Sequence, residues 1–325
     1  MYWTVSQELG YKKRPRKVSL EPVHHRTLDR FSPATLLTLT SLFWAGNMVV
    51  GRAVADAMSP LAFAYWRWVI VVAVLAPFCW REVVAKRALL LRSWRLLLLF
   101  GMMSTGLYNS LTYWALHYTT ATNTSMLNST IPIWVMAASW VLLRQAPATR
   151  PLLGFLLSLA GVLAVVAHGH PGALLTLTPN AGDLLMLTAL LIWGFYAVLL
   201  RYRPAELSPL TYVFVTGAIG TVVATPFFLV DHALSPAPEL SWQALAAIGY
   251  FGLFSSLAAT LCYNNAVDRV GPVHASLYIH LIPLFGSLMA IAFLGERPGW
   301  QHLIGIALIL SGILYSRRTA AVERR

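Results

Sequence analysis

One stretch of this chain is a diverged copy of another. Trp44, Arg52, Ser59, Pro60 and Leu61 recur as Trp193, Arg201, Ser208, Pro209 and Leu210, each 149 residues further on. Ala115, Ser125, Pro132, Gly154 and Gly161 recur as Ala266, Ser276, Pro283, Gly305 and Gly312, each 151 residues on. Two extra residues in the second copy account for the change of offset. Matches that include Trp, Arg, Pro and Gly are not what the abundance of Leu and Ala would produce. The chain therefore folds as two similar units, residues 33–170 and 181–318, whose shared interface is the natural place for a site.

Both copies are almost entirely apolar. Hydrophobic residues make up 58% of the 325 and charged residues 11%, against roughly 45–50% and 25% in soluble domains. The expected class is an all-α membrane protein. Segments of about 20 apolar residues, enough to span a bilayer, fall at 34–55, 60–80, 96–116, 121–143, 151–168, 182–201, 209–230, 243–266, 272–294 and 300–317. Several open on helix-start signals, Ser59-Pro60, Ser208-Pro209 and Gly271-Pro272. The expectation is about ten transmembrane helices, five in each copy.

The basic residues set a direction. The net charge is +12, but the charges sit in loops and tails rather than on one folded face, which argues against nucleic-acid binding. With the N-terminus in the cytoplasm, 21 of the 24 Lys and Arg lie inside, and Arg52, Arg67 and Arg297 are the exceptions. The positive-inside rule then puts both termini in the cytoplasm. Five spans is an odd number, so the second copy enters the membrane from the opposite side and the repeat is inverted. Residues 1–32 carry Lys12, Lys13, Arg14, Arg16 and Lys17 and no apolar h-region. They read as a solvated cytoplasmic arm rather than a signal peptide, and 319–325 as a cytoplasmic tail. The expected location is a bacterial inner membrane.

The motifs in order resemble the EamA-type proteins of the drug/metabolite transporter superfamily. Phe43-Trp44-Ala45-Gly46-Asn47 looks like the turn in their first helix, and Ser59-Pro60-Leu61 followed by Arg67 is similar to the opening of their second. Gly182-Asp183-Leu184-Leu185 with Trp193-Gly194 resembles the start of their second repeat. Pro283, Gly295-Glu296, Gln301, Gly305 and Gly312 resemble its end. The first copy departs with Gln145 where the family ending has Glu and with Ala45 where Gly is common, and Thr216 stands at the repeat position of Arg67. The resemblance implies export or exchange of small metabolites, often amino acids, by alternating access. A lipid-modifying enzyme or a channel are the alternatives. His117, His168 and His170 lack the H-E-x-x-H, carboxylate-pair or Ser-His-Asp context of catalysis, so no enzyme is expected, and the chain has no Walker A loop. Cys79 and Cys262 read as packing residues, with no metal site or cofactor.

Polar groups inside hydrocarbon are costly and mark paths or packing contacts. Arg67 is the clearest: it either attracts a substrate carboxylate through paired hydrogen bonds or snorkels to the outer headgroups. His280 shares a helical face with Ser276 and Pro283 and either carries a coupling proton or bonds across a helix interface. Exchange needs no proton group. Trp44, Asn47, Asn109, Tyr113, Asn128, Tyr196, Asn264 and Tyr278 complete a candidate set suited to a small, partly apolar organic substrate. Asn47 and Tyr196 are repeat equivalents, as are Tyr113 and Asn264. Pro132 and Pro283 occupy equivalent spans, where a lost backbone donor frees a carbonyl and offers a hinge. Gly154 and Gly161, like Gly305 and Gly312, set small residues two turns apart, which favours close helix packing over homodimer formation.

Overall fold

The computed structural model describes residues 28–53, 57–119, 121–144, 146, 148–166, 180–235, 241–294 and 299–320. Among them there are helices and no strands. We number ten helical rods in chain order. The first copy supplies α1 (Pro33–Ala53), α2 (Pro60–Ala85), α3 (94–115), α4 (121–143) and α5 (Thr149–Val166). The second supplies α6 (Ala181–Leu199), α7 (Pro209–Leu234), α8 (242–270), α9 (272–294) and α10 (Trp300–Ala320). Among the described residues, six helices are long and apolar enough to cross a membrane, and two more apolar helices, Thr149–Val165 and His302–Ser316, are shorter. The outer surface carries large apolar side chains in the open, among them Phe78 (73% exposed), Val222 (72%) and Leu303 (73%), as a chain surrounded by lipid requires.

The helix starts follow from the sequence. Ser59 and Ser208 cap α2 and α7, their hydroxyls accepting from the Ala62 and Thr211 N–H groups at 3.1 and 3.2 Å. Each is followed by a proline at the first helical position, where no donor is needed. Asn180 and Asp183 form a reciprocal capping box at the start of α6. Between α8 and α9 the chain turns at Gly271, whose φ of +81° strains any residue with a Cβ. Most of the basic arm and the end of the tail lie outside the described residues. Of the arm, Leu28–Arg30 form one turn docked on α8: Asn265 Nδ2 donates to Asp29 Oδ1 (3.1 Å) and Arg269 Nη1 to the Phe31 carbonyl (2.7 Å).

Packing repeats itself under exchange of the two copies. Helix α5 packs on α10 and α2 on α7. The α1–α8 contact is matched by α6–α3, α4–α6 by α9–α1, and α3–α7 by α8–α2. The match extends to atoms. Gly101 of α3 sits against the Thr216 carbonyl and Ile219 of α7, while Gly252 of α8 sits against the Arg67 carbonyl and Ile70 of α2. A methyl on Gly154 would meet the Gly312 carbonyl at 2.6 Å, and one on Gly161 would meet the Gly305 carbonyl at 2.8 Å. The glycine faces are therefore used inside the chain, between α5 and α10.

Four rods are interrupted. In α3 the residues Met102–Tyr108, and in α8 the residues Phe251–Ala258, wind as π-helix. These overlap in the alignment of the copies. Helix α4 breaks between Asn128 and Ile131, and α9 passes through a 3-10 turn at Tyr278–His280. Those two breaks are 151 residues apart, just ahead of Pro132 and Pro283. Pro77 and Pro226, equivalent at the 149 offset, lie inside α2 and α7.

Candidate functional site

Between the two copies lies a cavity of about 290 Å³. Eight of the ten substrate candidates line it: Trp44, Asn47, Arg67, Asn109, Tyr113, Asn128, Tyr196 and Asn264. Tyr278 and His280 do not.

Arg67 is 7% exposed and faces into the protein rather than toward headgroups. Its Nη2 donates to Asn109 Oδ1, its Nη1 reaches the Tyr113 hydroxyl at 3.5 Å, and its guanidinium carbon is 5.4 Å from the centre of the Tyr113 ring. Asn109 is itself held by the π segment of α3: its Nδ2 donates to the Ser104 and Thr105 carbonyls at 3.0 and 3.3 Å. Those bonds orient the amide so that its oxygen meets the guanidinium. Arg67 Nε is buried and has no hydrogen-bond partner. Among the described residues, no carboxylate pairs with Arg67 and none lines the cavity. Thr216, the repeat equivalent of Arg67, also lines the cavity, but its hydroxyl donates to the Tyr212 carbonyl of its own helix at 2.7 Å.

The rest of the wall is aromatic. Trp44 and Trp193, repeat equivalents, meet edge to face with ring centres 5.9 Å apart. Tyr263 packs on both, at 5.5 and 5.7 Å, and Tyr108 and Tyr196 lie 4.7 and 5.3 Å from Trp193. The π segment of α8 fixes this wall from the other copy: Trp44 Nε1 donates to the Ser255 carbonyl at 3.0 Å and Asn47 Nδ2 to the Ser255 hydroxyl at 2.7 Å. Asn128, at the α4 break, accepts from the Tyr108 hydroxyl at 3.3 Å.

Sequence reasoning missed Ser104, Thr105, Tyr108, Ser255 and Ser256, all of which line the cavity. Their signal was present: two hydroxyl residues follow Gly101 by three and four positions, and two follow Gly252 at the same spacing.

His280 sits behind the cavity, fully buried. Its Nε2 is 2.8 Å from the Ser129 carbonyl and its Nδ1 2.6 Å from the Ser158 hydroxyl. A neutral imidazole protonated at Nε2 donates to the Ser129 carbonyl and leaves Nδ1 as an acceptor, so the single Ser158 proton is shared between Nδ1 and the Phe155 carbonyl at 3.0 Å. Ser129 is the repeat equivalent of His280, so the contact joins the two helix breaks. Tyr278 is buried, and its carbonyl accepts from the Ser41 hydroxyl at 2.7 Å.

Two further polar clusters flank the cavity at opposite ends of the α2–α7 pair. Near the end of α2, Glu82 accepts from Ser208 N (2.8 Å), from the Ser208 hydroxyl and from the Thr211 hydroxyl (2.6 Å), and pairs with Lys86 at 2.7 Å. Near the end of α7, Asp231 accepts from the Ser59 hydroxyl and lies 2.8 Å from His117 Nε2. Glu82 and Asp231 are 149 apart, as are Ser59 and Ser208. Each copy thus holds the capped start of the other's helix with a carboxylate, and α2 and α7 run antiparallel.

A family described as the EamA-like transporter family matches residues 32–167 and 180–318. The chain belongs to that family. It is an integral membrane protein of a transporter family. A relative, an uncharacterized transporter of Archaeoglobus fulgidus, is 29% identical over 86% of this chain and 94% of its own length. The uncharacterized transporter YyaM of Bacillus subtilis is 25% identical over 84% and 90%. A probable terminal-alkyne amino-acid exporter of Streptantibioticus cattleyicolor is 24% identical over 70% and 74%. A solved crystal structure shares the fold, with a TM-score of 0.67 at 18% identity over 88% of this chain and 98% of that one.

Proposed function

We propose that this EamA-like protein is a secondary transporter that exports or exchanges small organic metabolites, amino acids among them, by alternating access. The observation that carries the reading is the cavity between two copies, flanked by two equivalent carboxylate clasps. In this reading ten helices span the bilayer as an inverted repeat with both termini in the cytoplasm. The Glu82–Ser208 clasp is then the inner one, and the Asp231–Ser59 clasp the outer one. Releasing one while keeping the other yields inward-open and outward-open states that are approximate exchanges of each other, and hence of similar energy. A substrate shifts that balance only through unequal affinity for the two states.

The substrate contacts belong to Arg67, Asn109, Tyr113, Asn47, Asn128, Asn264 and the aromatic wall of Trp44 and Tyr196. Pro132 and Pro283 act beside the breaks as hinges. His280 serves as a neutral bolt between the breaks, so exchange runs without a proton on that residue. A single chain is the working unit, because its glycine faces already pack against each other. The relative named as an amino-acid exporter supports amino acids as a first substrate class.

Proteoliposomes holding the purified chain test this. Labelled phenylalanine should enter faster, and saturably, when unlabelled phenylalanine is preloaded. Flux that rises linearly with concentration and ignores preloading would make the protein a channel.

A further inference from the structure

Among the described residues, Arg67 is the one charged group that lines the cavity, and no carboxylate lines it. Arg67 is nine-tenths buried, and of its five N–H donors two are engaged, by Asn109 and Tyr113, both uncharged. Three donors remain, and Nε is a buried atom with no partner. A desolvated, unpaired cation is unfavourable by several kcal/mol in general, and pairing with an anion that also fills its hydrogen bonds offsets that penalty. The repeat-equivalent Thr216 brings no charge, and no carboxylate among the described residues lines the opposite wall. From this we infer that the cavity selects organic monocarboxylates: anions with one excess negative charge and a flat apolar body. The inference rests on the transporter reading and names its substrate class.

Three features lead to that class. First, a monoanion makes the occupied cavity electrically neutral. A zwitterion leaves the guanidinium's charge uncompensated, and a cation adds a second one. Second, Nη1 and Nη2 each keep one N–H beyond those taken by Tyr113 and Asn109, and a carboxylate accepts two such bonds. Third, the wall of Trp44, Trp193 and Tyr263 takes a planar body through edge and offset contacts. The volume of about 290 Å³ lies at the small end of the range of about 300–1,000 Å³ for ligand pockets, which suits one ring rather than a nucleotide.

The test uses the full purified chain in detergent and three probes of equal body: phenylacetate, phenylalanine and phenethylamine. Calorimetric titration should find phenylacetate bound at least tenfold more tightly than phenylalanine, and phenethylamine not bound. Arg67→Gln should weaken phenylacetate at least tenfold, while an unchanged circular dichroism spectrum and monodisperse elution show that the variant is folded. Asn109→Asp places a built-in carboxylate beside Arg67 and should abolish the preference for phenylacetate. Equal affinity for phenylalanine and phenylacetate, no binding of phenylacetate, or full phenylacetate affinity in Arg67→Gln each overturns the inference. If phenylacetate fails while labelled phenylalanine still exchanges in proteoliposomes, the charge class falls and the transporter reading stands. If no solute exchanges, the transporter reading falls as well.

Discussion

Replacing Gly312 with alanine forces α5 and α10 apart. The new methyl would lie 2.4 Å from the Gly154 carbonyl oxygen and 2.7 Å from Ser158 N. Ordinary contact begins at 3.4 Å, so the helices must separate by about 1 Å, since overpacked cores relax only through backbone shifts. Neither obstacle is a side chain that can rotate away. Overpacking of this kind costs about 1–3 kcal/mol. Separation also thins the contacts of Ile309 and Ile313, buried in the same seam. In a membrane, where helices associate through close van der Waals contact, that loss has no hydrophobic substitute. Gly154→Ala strikes the same seam from the other side, 2.6 Å from the Gly312 carbonyl. The double variant should therefore lose much less than the sum of the singles, because one displacement accommodates both methyls. Thermal unfolding of the purified protein, followed by tryptophan fluorescence, reads the effect. Gly249→Ala is the control: it is helical, a methyl there meets nothing within 4 Å, and the change should be neutral or stabilising by up to about 1 kcal/mol. A Gly312→Ala protein that melts at or above the parent temperature would refute the account of the seam.

Other outcomes follow from the site. Glu82→Gln weakens the clasp that the proposed orientation puts on the cytoplasmic side, and Asp231→Asn the one that it puts outside. With Cys79 and Cys262 replaced, a cysteine at Ser256 should label faster from the cytoplasmic side in the first and from the outer side in the second; equal labelling from both sides in either variant counts against the clasps as gates. His280→Ala should lower the melting temperature, because it removes the imidazole donor to the Ser129 carbonyl and opens a gap in a fully buried site, and exchange by the surviving folded protein should not depend on a proton gradient. A parent protein whose uptake follows the gradient, and a variant that has lost this, would assign His280 a proton after all. Asn180→Ala removes the capping box of α6 and should destabilise by about 1 kcal/mol in thermal unfolding.

The helix starts, the glycine seam and eight residues of the cavity wall were legible in the sequence, the first two because they depend on local chemistry repeated at fixed offsets. Ser59-Pro60 and Ser208-Pro209 cap helices wherever they stand, and Gly154, Gly161, Gly305 and Gly312 can be read as a close-packing face without coordinates. Arg67 was legible as costly in hydrocarbon, but its partners were not, because Asn109 is aimed by carbonyls of a π segment that no sequence period announces. The same segments hid Ser104, Thr105, Tyr108, Ser255 and Ser256, whose direction depends on a wider helical turn. For His280 the sequence left two readings, a coupling proton or a bond across a helix interface, and in the structure α9 turns Ile279 and Ile282 to the cavity while His280 meets Ser129 and Ser158. The clasps escaped notice because Glu82 and Asp231 differ in type, so matching letters could not pair them. Their equivalence emerges only once each carboxylate is seen holding the other copy's cap.

The most direct measurement of the central claim is trans-stimulated exchange in proteoliposomes. The vesicles contain the full chain and are preloaded with phenylacetate or phenylalanine, with the labelled solute outside. The account predicts saturable uptake accelerated by the internal solute, greater for phenylacetate than for phenylalanine, and lost for phenylacetate in Arg67→Gln. Uptake that is linear in concentration and indifferent to the internal solute would contradict it.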